Sequence, residues 1–78
     1  MDERECRARI LEQLQRIAPE IDAASLDARQ PLRDQVDLDS MDWLNFLIAL
    51  SKAFQVEIPE SVYERMRTLE DLVRYLGK

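Results

Sequence analysis

The chain of 78 residues is expected to form one small domain (residues 1–78), which buries only about 60% of its unfolded surface. A single cysteine excludes an internal disulfide, the absence of histidine excludes the usual zinc sites and imidazole acid–base chemistry, and a net charge of −5 argues against nucleic acid as ligand. With 46% apolar and 35% charged residues but one Gly and three Pro, the composition suits a compact helical domain.

The first segment, MDERECRARI, is charged and lacks an apolar leader, and no run approaches the roughly 18 apolar residues of a membrane span, so a cytoplasmic protein is expected. Cys6, Ile10, Leu14 and Ile17 recur at i, i+4, i+8 and i+11, which predicts a helix ended by Pro19. Cys6 is then a core thiol, because there is no His to activate it and Arg4, Arg7 and Arg9 are weak local reasons for a lowered pKa.

Residues 18–39 read as a long loop with apolar anchors at Ile21, Leu26, Leu32, Val36 and Leu38. Loops above about 12–15 residues are often functional, and Pro31-Leu32-Arg33-Asp34 could supply one helical turn within this one. Six acids (Glu20, Asp22, Asp27, Asp34, Asp37, Asp39) face only Arg29 and Arg33, an excess able to steer basic partners toward the segment that begins at Ser40.

The stretch DLDSMDWLNFLIAL has apolar residues that separate into two stripes at about 100° per residue. Trp43, Phe46, Leu47, Leu50, Ala53 and Phe54 form the core face, while Met41, Leu44 and Ile48 lie opposite among Asn45, Ser51, Lys52 and Gln55. The narrower stripe either packs under the long loop or another helix, or serves as a docking strip. FQVEIP is the one candidate strand and, lacking a partner, reads as extended linker. Pro59-Glu60-Ser61 begins a short helix with Val62, Tyr63 and Met66 on its apolar side. Thr68-Leu69-Glu70-Asp71 resembles a capping box that opens a terminal amphipathic helix through Leu69, Leu72, Val73 and Leu76, with Gly77 at its end.

Ser40 lacks the glycines and histidine of an esterase nucleophile. Asp37, Asp39 and Asp42 do not follow the calcium-loop pattern, because Asp42 stands at the sixth position where Gly is required. No catalytic or metal site is therefore assigned. Asp39 or Ser40 can cap the helix, and a serine at a helix N-terminus is well placed to carry a phosphate ester, since free N–H groups and the helix dipole favour an anion.

Asp39-Ser40-Met41 at the start of an apolar helix, then ALSKAFQVEIPE and TLEDLVRYL, resembles the acyl carrier proteins over nearly the whole chain, with their Asp-Ser-Leu motif written Asp-Ser-Met. The resemblance implies an all-α four-helix bundle with a long loop between its first two helices and a short third helix. It further implies that Ser40 receives 4′-phosphopantetheine from coenzyme A through a phosphopantetheinyl transferase, with Asp39 helping to present it. The arm then holds acyl groups as thioesters for separate acyl-loading and acyl-accepting enzymes, and the carrier itself is monomeric and not an enzyme. The helix that starts at the serine is the family's recognition helix, so Met41, Asp42, Leu44, Asn45 and Ile48 become the partner-facing residues.

Several positions depart from the family pattern. Asp37 stands where fatty-acid carriers have Gly, and Asn45, Ser51 and Lys52 stand where acids are expected. These departures point to a specialised carrier in a dedicated lipid or secondary-metabolite pathway. An aminoacyl carrier of peptidyl or D-alanyl type, and a non-carrier helical adaptor, are the alternatives. Ser25-Leu26-Asp27 is a decoy for the motif, since no Asp precedes Ser25 and Pro31 forbids a long helix behind it.

Overall fold

Asp2 opens the first helix, α1 (Glu3–Ile17), by accepting the Glu5 backbone N–H at 2.8 Å on its carboxylate. In this computed structural model, which describes residues 2–77, Cys6, Ile10 and Leu14 form the buried face of α1. The helix stops at Ile17, because Pro19 disfavours helical backbone at Ala18, which has φ −130° and ψ 77°. Ala18 itself is buried.

The segment between the two long helices is more ordered than a long loop. A 3-10 turn forms at Ala23–Ser25 and a single α-turn, α2, at Leu32–Gln35, the latter behind Pro31 as its sequence suggests. One side chain organises the stretch between them. The Gln35 amide accepts the Asp27 N–H at 2.7 Å and donates to the carbonyls of Asp27 (2.8 Å) and Gln30 (3.1 Å). Leu32, Val36 and Leu38 then enter the core as apolar anchors, while Ile21 and Leu26 are half-buried against it.

α3 (Ser40–Phe54) supplies Phe46, Leu47 and Leu50 to the core. Trp43, Ala53 and Phe54, which rotation alone also directs inward, are half-buried. Trp43 and Phe54 stand in the terminal turns of the helix, and burial depends on position along the axis as well as around it. The helix ends at Gln55 in the left-handed region, with φ 53° and ψ 42°. Gln55 N–H bonds to the Lys52 carbonyl and Val56 N–H to the Ser51 carbonyl, the pairing of a Schellman motif, although glycine is the residue that fits this conformation without strain.

FQVEIP runs on as linker, with Ile58 buried and the Glu57 carbonyl accepting from the Tyr75 hydroxyl at 3.1 Å. The next short helix, Glu60–Arg65, is a 3-10 helix, and Pro59 precedes it as N-cap instead of sitting in its first turn. Its six residues exceed the roughly three or four that 3-10 geometry usually sustains. Thr68 and Asp71 form the expected capping box for α4 (Leu69–Leu76): Asp71 N–H donates to Thr68 Oγ1 at 2.9 Å, and Thr68 N–H donates to Asp71 Oδ2 at 3.2 Å.

α1 packs against both α3 and α4, around a core that contains no buried polar or charged residue among those described. Among the described residues the extended pairing is one isolated bridge, Pro31 with Thr68, where Leu32 N–H donates to the Arg67 carbonyl at 2.9 Å. Glu70 N–H adds a bond to the Ala28 carbonyl at 3.0 Å, so the start of α4 holds the long connection in place. The radius of gyration, 11.3 Å, matches the value of about 11.5 Å for a compact chain of this length. Among the described residues no helix is long and apolar enough to cross a membrane.

Candidate functional site

The chain approaches α3 through alternating burial: Val36 in, Asp37 out, Leu38 in. Leu38 N–H donates to the Val36 carbonyl at 2.9 Å, a three-residue γ-turn centred on Asp37, whose side chain is exposed. Among the described residues Gln55 alone has positive φ, so Asp37 meets no steric penalty at the position where the family pattern has glycine.

Asp39 is the N-cap. Its backbone is extended (φ −82°, ψ −179°), its Oδ1 accepts the Asp42 N–H at 2.8 Å, and its carbonyl accepts the Trp43 N–H at 3.0 Å. Capping therefore falls to Asp39, and Ser40 is left as the first helical residue. Ser40 is exposed, and its hydroxyl makes no hydrogen bond among the described residues. The N–H groups of Ser40 and Met41 also have no acceptor among the described residues, which leaves donors and the positive end of the helix dipole beside that hydroxyl.

Ser25 offers a control within the same chain. Its hydroxyl donates to the Asp22 carbonyl at 2.9 Å, inside a three-residue turn capped by the Asp22 side chain.

The second stripe of α3 is not covered by the long connection. Met41 is 64% exposed, Leu44 36% and Ile48 41%, with Asn45 exposed between them and Asp42 half-buried. Packing under the loop is therefore excluded for these side chains. The start of α3 thus brings together an accessible hydroxyl, free N–H donors and an apolar strip along one helix. An exposed primary hydroxyl flanked by N–H donors suits a phosphodiester group.

The family described as a phosphopantetheine attachment site matches residues 8–76. The chain belongs to the acyl carrier protein family. It is 33% identical over 70 residues to an acyl carrier protein of Campylobacter jejuni subsp. jejuni, covering 90% of this chain and 84% of that one. An acyl carrier protein of Rubrobacter xylanophilus is 29% identical over 73 residues, covering 90% of each, and one of Phytoplasma australiense is 33% identical over 58 residues, covering 74% and 76%. The cofactor of such a carrier is 4′-phosphopantetheine, covalently attached.

One feature of the carrier had little sequence signal as a site. An open cleft of about 700 Å³ flanks the start of α3, with Leu38, Trp43, Tyr63 and Met66 among its lining. Those residues come from the approach to α3, from α3 itself and from the 3-10 helix and its end, so no local pattern joins them. The half-buried indole of Trp43 lies against Phe46, with ring centroids 5.3 Å apart and tilted by 49°. A tryptophan on a face otherwise filled by Phe, Leu and Ala was the one available hint.

Cys6 is buried in the core, where loss of solvation, with a smaller push from Glu3, raises its pKa above the ordinary thiol value. It takes no part in the site.

Proposed function

We propose that Ser40 is the attachment residue and that the chain works as a stand-alone, monomeric, cytoplasmic carrier of one domain, residues 1–78, in a dedicated pathway. The observation that carries this reading is the division of labour at the start of α3: Asp39 takes the cap, and the Ser40 hydroxyl stays exposed and unbonded among the described residues. A phosphopantetheinyl transferase transfers phosphopantetheine from coenzyme A to Ser40 Oγ, with loss of the serine proton and release of the nucleotide bisphosphate. Asp39 holds the helix end rigid and keeps a carboxylate beside the hydroxyl during that transfer. When attached, the arm supplies a thiol that holds acyl groups as thioesters. The reacting bonds are then made and broken by separate enzymes, so the carrier is a substrate and not a catalyst.

Met41, Leu44 and Ile48, with Asp42 and Asn45, form the surface those enzymes meet. α3 carries one acid and one base, Asp42 and Lys52, which supports apolar recognition over charge-led docking and hence a specialised partner set. Incubation of the purified protein with coenzyme A and a broad-specificity transferase tests the proposal by intact mass. A gain of one phosphopantetheine is expected, retained in Ser25→Ala and lost in Ser40→Ala. No gain in the unmodified sequence overturns it. Loading of the holo-protein by acyl-activating and amino-acid-activating enzymes then separates an acyl from an aminoacyl carrier.

A further inference from the structure

We infer that Gln35 is a positioning residue for the modification of Ser40: its side-chain amide fastens the turn at residues 27–30 onto α2 and so orders the approach to the attachment point before a transferase binds. The inference rests on the carrier reading above. Gln35 ends α2 and stands five residues before Ser40. Its Oε1 accepts the Asp27 N–H at 2.7 Å, and its Nε2 donates to the carbonyls of Asp27 at 2.8 Å and Gln30 at 3.1 Å. The amide thus pairs with both backbone groups of Asp27, as an adjacent strand would, and uses its second hydrogen on Gln30. The reverse orientation would set an NH₂ against an N–H and an oxygen against two carbonyls, so one orientation alone satisfies this set.

The turn that Gln35 holds is a closed unit, with Gln30 N–H bonded to the Asp27 carbonyl at 3.2 Å and Arg29 N–H to Asp27 Oδ1 at 2.9 Å. On its other side, Leu32 N–H to the Arg67 carbonyl and Glu70 N–H to the Ala28 carbonyl fasten it to the start of α4. α2 needs that support. It has four residues, Pro31 gives it no side-chain cap bond, and its exit rests on the bond from Val36 N–H to the Leu32 carbonyl, whereas a helix so short does not hold itself. Beyond it, only the buried Val36 and Leu38 and the γ-turn at Asp37 separate Gln35 from the Asp39 cap. Loss of the amide therefore frees the turn and α2 together, and the motion passes through these few residues to Ser40. Asp27 and Gln30 are exposed, so water takes up the released backbone groups and the fold survives. The lost order must then be restored as the transferase binds, which raises KM and leaves kcat, set after binding, unchanged.

The test compares Gln35→Met, which keeps the length without the hydrogen bonds, and Gln35→Ala with the natural sequence as substrates of a broad-specificity phosphopantetheinyl transferase and coenzyme A, with folding checked by circular dichroism. Expected is a KM raised roughly three- to tenfold, the fold-change of about one net hydrogen bond, with kcat within about twofold. Faster amide exchange at Asp27 is expected alongside it. Ile10→Val, a destabilising change in the core that leaves the turn intact, is expected to keep the natural KM, which separates positioning from a general loss of stability. An unchanged KM in Gln35→Met, an equal rise in Ile10→Val, a fall in kcat alone, or unfolding of both Gln35 variants overturns the inference and leaves the carrier reading intact. Absence of modification of the natural sequence overturns both.

Discussion

The carboxylate of Asp39 holds the backbone N–H of Asp42 at 2.8 Å, and this contact decides what its neighbour Ser40 is free to do. Were the serine the cap, its hydroxyl would be turned inward and engaged, as that of Ser25 is. Asp39→Ala is expected to cost about 1 kcal/mol, the usual value of an N-cap, while Asp39→Asn keeps the cap and changes stability by only a few tenths. Thermal melts read that difference. Comparison of the two variants as transferase substrates separates the cap from the charge: slow modification of both assigns Asp39 an electrostatic part in presenting Ser40.

The strained end of the same helix gives a stability prediction of opposite sign. Gln55 occupies φ 53° without the freedom of glycine, so Gln55→Gly is expected to stabilise the fold by about 1 kcal/mol. Urea unfolding measures it. A destabilised variant would mean that the Gln55 side chain contributes more than its backbone strain costs.

Core truncation should be severe for a chain this small. A domain of this size is stable by roughly 4–12 kcal/mol, and replacing a buried Phe by Ala costs about 3–5 kcal/mol. Phe46→Ala, at 0% exposure, is therefore expected to leave the protein marginal or unfolded at physiological temperature, as read by circular dichroism.

The exposed strip behaves differently. Ile48→Glu or Leu44→Arg should change stability by no more than about 0.5 kcal/mol, because both side chains are substantially solvent-exposed. Both should weaken modification and partner loading, read as a raised KM for the unmodified protein in the first reaction and for the holo-protein in the second. Addition of salt should weaken partner loading little, since α3 carries only Asp42 and Lys52 as charges.

Cys6 links stability to alkaline pH. Its folded-state pKa is raised above the unfolded value, so its contribution is fully present below the ordinary thiol pKa and is lost as pH rises through the folded value. From about pH 8 to about pH 10, the urea midpoint should fall more steeply for the natural sequence than for Cys6→Ala. Native-state alkylation of the thiol should be slow and limited by opening of the core, because its side chain is fully buried.

The elements most legible in the sequence were those with local rules. α1 and α4 followed from apolar spacing, with the Thr68–Asp71 box visible as a tetrapeptide, and rotation alone separated Met41, Leu44 and Ile48 from Phe46, Leu47 and Leu50. The long connection was not legible in detail, because Gln35 orders it by bonds to Asp27 and Gln30, which no periodicity encodes. Spacing gave the angle of Trp43 around α3 but not its depth, and the cleft it lines joins parts of the chain that are distant in sequence. For the candidate site, Asp39 and Ser40 were legible as a pair. Which of them caps was settled only by the backbone, where the extended Asp39 precedes the first helical residue.

Peptide mapping of the phosphopantetheinylated protein tests the central claim most directly. The chain has four serines, Ser25, Ser40, Ser51 and Ser61, and fragmentation distinguishes them. The account predicts a single arm per chain, on Ser40. An arm on Ser25, Ser51 or Ser61, or a protein that the transferase leaves unmodified, would contradict it.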